Sequence, residues 1–184
     1  MKLDYNQLTS IPASIASAQD LQELSVVENS LQGTIVSELG FLSALRSLRL
    51  SNNSLSGTIP SELGGLGKLV HILDLSDNSL NGTIPASIGE IDHLRNLNLS
   101  SNNLSGTLPE TIADISRLAV ARLERNDLTG VVPDIVCEVW DEYFTAAYAD
   151  CDEIDCPCCR YCCTDGEGCV CRYEGDPLLD WQCI

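Results

Sequence analysis

One spacing governs this sequence. Asn6, Asn29, Asn53, Asn78, Asn102 and Asn126 recur at intervals of 23 to 25 residues, and a leucine stands two positions after each: Leu8, Leu31, Leu55, Leu80, Leu104 and Leu128. From the second copy onward a glycine follows two residues later again, as Gly33, Gly57, Gly82, Gly106 and Gly130. The fullest copy runs Leu45-Arg46-Ser47-Leu48-Arg49-Leu50-Ser51-Asn52-Asn53-Ser54-Leu55-Ser56-Gly57-Thr58-Ile59-Pro60. A unit this short cannot enclose a core of its own, so the copies must stack and share one.

The local pattern says how they stack. Leu48 and Leu50 alternate with polar neighbours, which predicts one short strand per turn with the leucines inward. Successive strands form a parallel sheet, advancing about 4.8 Å per turn. Parallel strands need a return crossover, supplied by segments such as 59–66. A turned-in asparagine at each Asn53-type position can bond the bare backbone of the bend, giving an inner ladder along the stack. Gly57 and its counterparts give that bend freedom in φ. Pro12, Pro60, Pro85, Pro109 and Pro133 mark extended segments that no helix interior could hold. The expected fold is an α/β solenoid, a right-handed superhelix over residues 1–136 in about six turns, followed by a small cysteine-rich, acidic C-terminal cap over 137–184.

Asn53-x-Leu55-x-Gly57-x-Ile59-Pro60 followed by Leu63-Gly64-x-Leu66, repeated as Asn78 to Pro85 with Ile88-Gly89-x-Ile91, resembles the plant-type extracellular leucine-rich repeats of polygalacturonase-inhibiting proteins and receptor-kinase ectodomains. The resemblance covers about residues 1–136. It implies the solenoid and an extracellular setting, while leaving function open, because inhibitors, receptors and structural proteins share the scaffold. Three departures stand out. The chain opens in register with a strand, Met1 standing where a repeat leucine would, with no cap and no basic apolar leader before it, which suggests a removed leader or a piece of a longer protein. Turn one, Leu8-Thr9-Ser10-Ile11-Pro12, is one residue short and lacks the glycine. Turn four carries an extra residue within 69–75.

In solenoids of this class the outward strand positions form the usual binding face. The middle column reads Lys2, Ser25, Arg49, Asp74, Asn98, Arg122, and the flanking positions include Tyr5, Asn52, Asp77, Glu124 and Arg125. Binding hot spots favour Tyr, Trp and Arg. Most single positions here read as solvated surface. Arg49, Asp74, Arg122 and Arg125 are the candidate ligand-binding residues. Four glycosylation triplets begin at Asn52, Asn81, Asn98 and Asn103. A repeat rich in Asn, Leu and Ser produces such triplets freely. Asn81 and Asn103, in loops beyond the strands, are the better acceptors, since glycans on Asn52 or Asn98 would obstruct the face.

The repeat stops after Pro133. Asp134-Ile135-Val136-Cys137-Glu138-Val139-Trp140 can begin a short helix capped by Asp134. The resemblance implies a closing cap here with Trp and paired cysteines, for which Cys137 and Cys151 are the local candidates. All ten cysteines lie in this tail, the others being Cys156, Cys158, Cys159, Cys162, Cys163, Cys169, Cys171 and Cys183. The run from Cys156 to Cys163 is similar to the cysteine-cluster tails of leucine-rich-repeat proteins in diatoms and related algae. Two chemistries fit: five disulfides, or a thiolate metal site built on Cys159-x-x-Cys162. The even count, the extracellular-type repeat and the acidic tail favour disulfides and no metal. Asp150, Asp152, Glu153 and Asp155 do not match an EF-hand loop and read as a solvated edge.

Charge narrows the function. With 27 acids against 10 bases the net charge is -17, which repels phosphate backbones and argues against a nucleic-acid partner. No apolar run reaches membrane-spanning length, though a parent protein would be free to carry a span. His71 and His93, the only two histidines, lack a recognisable nucleophile, no phosphate loop or paired-carboxylate cleft is present, and no cofactor is implied. The expectation is a secreted or cell-surface, non-catalytic recognition module for a protein, peptide or glycan. The alternatives are an ectodomain fragment of a receptor-like protein and a structural cell-wall or matrix protein.

Overall fold

A computed structural model of the chain describes residues 1–69, 71–143, 146–150, 154–155, 161–164 and 168–171. Each repeat contributes one strand to a first sheet, in the order Glu23–Ser25, Ser47–Arg49, Ile72–Asp74, Asn96–Asn98 and Val120–Arg122, all parallel. Lys2 joins its edge by a parallel bridge to Ser25. A second parallel sheet forms where the chain turns away, from Gln32–Gly33, Ser54–Gly57, Ser79–Gly82, Asn103–Gly106 and Asp127–Leu128. The chain is an α/β solenoid of leucine-rich repeats, as the period predicts.

The returns are 3₁₀ helices: Ala13–Ser17, Ser37–Phe41, Ser61–Leu69, Ala86–Glu90 and Glu110–Asp114. Four of the five are five residues long, enough for i→i+3 bonds and too short for a useful α-helical ladder. Pro12, Pro85 and Pro109 sit immediately before three of them in extended geometry. Turn four, which carries the extra residue, has a longer return helix, Ser61–Leu69. The short first turn still joins the stack through backbone bonds, Ser30 N–H to Leu8 O at 3.0 Å and Gln32 N–H to Thr9 O at 3.0 Å.

Repeat leucines and isoleucines such as Leu24, Leu48, Leu50, Leu73, Ile88 and Leu97 fill one continuous core. The asparagine ladder runs beside it. The Nδ2 of Asn102 donates to the carbonyls of Leu99, Ser100 and, one turn back, Leu75, while its Oδ1 accepts from Leu80 N–H at 3.0 Å. Asn29, Asn53 and Asn78 repeat the same four bonds. The residue before each ladder asparagine is left-handed although none is glycine: Tyr5, Glu28, Asn52, Asp77, Ser101 and Arg125 have φ between 51 and 58°. The ladder bonds hold this costly bend shut.

Parallel stacking continues past residue 136. After the Asp134–Tyr143 helix, a strand at Ala146–Asp150 pairs with Val120–Arg122, and Tyr161–Thr164 pairs with it in turn. Buried Ala147 and Ala149 fill the places that leucines hold in earlier turns. Cys137, half-buried against the last repeat, is disulfide-bonded.

The Leu-Gly-x-Leu part of the repeat has a packing reason. Consecutive 3₁₀ helices approach so closely that a Cβ at Gly89 would overlap the carbonyl oxygen of Thr111, and one at Gly64 would lie 2.5 Å from that of Ser87. Backbone cannot retreat as a side-chain tip can. Gly89→Ala should therefore cost about 1–3 kcal/mol and lower Tm by roughly 3–10 °C in a circular-dichroism melt. An unchanged Tm would show that the stack does not need the close approach.

Candidate binding face

The strand register fixes the outward columns. Lys2, Ser25, Arg49, Asp74, Asn98 and Arg122 are successive partners across the first sheet, and Tyr148 continues the column. Arg49 and Asp74 are therefore adjacent, while Arg122 lies two strands, about 9.6 Å, beyond Asp74.

These side chains are bonded to one another. Arg49 Nη1 lies 3.0 Å from Glu23 Oε1, which Lys2 Nζ also approaches at 3.5 Å. Asp74 accepts from Ser51 Oγ at 3.1 Å, Ser76 Oγ at 2.7 Å and Ser76 N–H at 3.2 Å. Asn98 donates to Ser76 Oγ at 3.1 Å and accepts from Ser100 Oγ at 2.8 Å. Asp4 begins the same pattern, accepting from Ser25 Oγ at 2.6 Å and Val27 N–H at 2.9 Å. The Ser25 bond holds the Asp4 carboxyl below the usual carboxylate range, against the opposing effect of burial.

The last turns differ. The Arg122 guanidinium stacks 4.3 Å from the Tyr148 ring centroid, and its Nη1 is 3.4 Å from Glu124 Oε1. Glu124 occupies the position of the buried serines Ser51, Ser76 and Ser100 and is itself buried. Its Oε2 has no hydrogen-bond partner among the described residues. Asp150, next along that column, accepts from Asn126 N–H at 3.1 Å, so it is built into the sheet and is not the solvated edge expected of it. Burial pushes the Glu124 carboxyl up, Asp150 adds to this, and Arg122 offsets part of it. Arg125 is exposed beside them.

Asn52, Asn81 and Asn103 are exposed, though Asn81 and Asn103 stand as partners in second-sheet strands and not in the loops expected, whereas Asn98 is half-buried with its amide engaged by Ser76. Cys162, Cys163, Cys169 and Cys171 lie in the two last strands, which pair antiparallel. Cys151, Cys156, Cys158, Cys159 and Cys183, with Asp152 and Glu153, lie outside the described residues. Among the described residues no three His, Cys, Asp or Glu side chains gather as a metal site, and no helix is long and apolar enough to cross a membrane. His71 is exposed on the strand side, and His93 pairs with Asp92 at 2.7 Å.

The turns carry a second ordered surface. Thr34, Thr58, Thr83 and Thr107 follow the second-sheet strands on successive turns, all exposed. A Cβ added at Gly57 or Gly82 would come within 2.9 Å of the preceding turn's threonine methyl, so each methyl rests over the next glycine. This array and the Tyr148 strand escaped sequence reading. The signal for the strand was present as the Ala147-x-Ala149 alternation.

Fold and face define a leucine-rich-repeat domain. The leucine-rich-repeat model matches residues 44–66, 70–91 and 93–115. A chain in the BIR3–SERK2 complex from Arabidopsis thaliana is 35% identical, with a TM-score of 0.60, covering 72% of this chain and 69% of that one. The Arabidopsis receptor kinase HAESA, solved with the peptide hormone IDA and the co-receptor SERK1, is 32% identical at a TM-score of 0.75 over 85% of this chain. A plant ice-binding protein is 31% identical at a TM-score of 0.71, over 82% of this chain and 47% of its own. No curated protein matches. The chain belongs to the leucine-rich-repeat family and resembles its receptor-kinase ectodomains, spanning about a quarter of the HAESA chain's length.

The buried Glu124 makes a pH prediction. Its carboxyl titrates higher in the folded chain than in the unfolded one, so ionisation destabilises the fold and acid relieves the penalty. Glu124→Gln should raise Tm at pH 7, with the gain shrinking as pH falls toward the ordinary carboxylate range of about 4–5. A gain independent of pH, or a loss at pH 7, would assign Glu124 a stabilising role through Arg122.

Proposed function

We propose that this chain is part of the ectodomain of an extracellular receptor-like protein that binds a peptide along its strand face. The observation that carries this reading is the likeness, at 32% identity over 85% of the chain, to a receptor kinase solved with its peptide hormone. It favours a receptor fragment over a free-standing recognition module or a matrix spacer. Arg49, Asp74, Arg122 and Arg125 remain the proposed contact residues, in two classes. Arg49 and Asp74 stiffen the face through Glu23 and the serines. Exposed Arg122 and Arg125 offer the donors to a ligand, with Tyr148 as the aromatic floor. Residues 137–184 are proposed as a disulfide-stapled cap in which Cys137 is one bonded member, and Asn81 and Asn103 as the glycan acceptors, exposed and off the face.

The test is selection of a displayed random peptide library on the purified chain. Enriched peptides should lose at least tenfold in affinity on Arg122→Ala with Arg125→Ala, as expected for truncating interface arginines. Enrichment indifferent to both substitutions would overturn the assignment.

A second reading rests on the threonine array and the likeness to a plant ice-binding protein. Hydroxyls and methyls repeating about every 4.8 Å on a sheet present an ordered, rigid surface to water. On this reading the chain inhibits ice recrystallisation at micromolar concentration, and Thr58→Tyr with Thr83→Tyr abolishes it. Unrestrained crystal growth in a splat assay would discard it.

A further inference from the structure

The strand side carries a column of two arginines and a histidine separate from the proposed contact residues. Backbone bonds place Arg46, His71 and Arg95 on successive turns: Arg46 N–H donates to Gln22 O at 2.7 Å, His71 N–H to Arg46 O at 2.6 Å, and Arg95 N–H to His71 O at 3.0 Å. All three are exposed and immediately precede first-sheet strands. Their neighbours on those strands are Ser47, Ile72 and Asn96, none of them charged.

This arrangement runs against the chain's composition. Acids outnumber bases 27 to 10 in the chain; Lys2 and Arg49 share the carboxylate of Glu23, and Arg122 holds that of Glu124. Among the described residues Arg46, His71 and Arg95 hold none within ion-pair distance. The guanidinium charges of Arg46 and Arg95, held two turns apart, repel one another, a cost that a bound anion would remove.

We infer that Arg46, His71 and Arg95 form a docking ladder for an extended acidic peptide lying along the solenoid axis. This rests on the reading that the strand face receives a peptide, and names that peptide's chemistry. Arg46 and Arg95 are two turns apart, about 9.6 Å. In a polyproline II peptide, residues i and i+3 share a face about 9.3 Å apart. An acidic-x-x-acidic segment therefore sets one carboxylate opposite each guanidinium. The imidazole between them can donate to a backbone carbonyl. Planar guanidinium forks suit carboxylates in particular.

The probe is a fluorescein-labelled Gly-Pro-Glu-Pro-Pro-Glu-Pro-Gly peptide, compared by anisotropy in 0.1 M NaCl with its Gln-for-Glu counterpart and an isomer whose two glutamates are adjacent. The purified full chain should bind the Glu-Pro-Pro-Glu peptide at least tenfold tighter than the glutamine version and at least threefold tighter than the isomer. Arg46→Gln with Arg95→Gln should erase both preferences. Arg117→Gln, which removes an equal charge from an exposed return-side position, should leave them in place. Absence of binding at millimolar peptide, or equal binding of all three peptides, would overturn the ladder. So would an oligogalacturonate that binds through Arg46 and Arg95 while the peptide does not, since the ladder would then read acidic sugar. Library peptides that depend on Arg122 and ignore Arg46 and Arg95 would overturn the ladder alone and leave the strand-face reading standing.

Discussion

Everything in this molecule hangs on the inward-turned asparagine of each turn. A solenoid must bend its chain sharply once per repeat, and at that bend carbonyls and amides face inward with no strand to pair them. One carboxamide serves three carbonyls and one amide there, as at Asn102. Two of those partners belong to the preceding turn, so the same group that closes one bend also fastens neighbouring turns. An unpaired buried polar group costs about 1–3 kcal/mol, so a turn without its asparagine would leave several such groups unpaired. The bonds also explain how residues as poorly suited as Tyr5 and Arg125 are held at positive φ.

That constraint is why the fold is so legible in the sequence. Asparagine, leucine and glycine recur because each answers a demand repeated at every turn: bond the bend, fill the core, reverse the chain. The outward column could be read as well, since period-two alternation around Leu48 and Leu50 leaves Arg49 one place to go, and the register puts it beside Asp74. The close approach of the returns was less accessible, because the demand for glycine at Gly64 and Gly89 comes from backbone one turn away and not from any local propensity.

What sequence reading could not reach are properties that depend on neighbours a full repeat away. Asp74 reads as an available carboxylate until Ser51 and Ser76 are seen to occupy it. Glu124 reads as one more surface acid until its column proves to be the buried serine column. Ala146–Asp150 falls in the tail read as a cap because the repeat stops after Pro133, yet it pairs as a further parallel strand. In each case the identity of the residue was plain and its partner was not.

These partner relations divide the strand side by mechanical character. From Asp4 to Ser100, serine hydroxyls bond the carboxylates of Asp4 and Asp74 and the carboxamide of Asn98, which makes this column a stiff polar surface. At Arg122, Glu124 and Tyr148 the pattern breaks: a long cation lies on a ring, an acid is buried with one oxygen unmatched, and the next strand comes from outside the regular repeat. Regular turns need only solve the packing problem once and copy it. A turn that departs from the copy, at the price of a buried charge, is where selection for something other than packing leaves its mark, and it lies where the face meets the cysteine-rich tail.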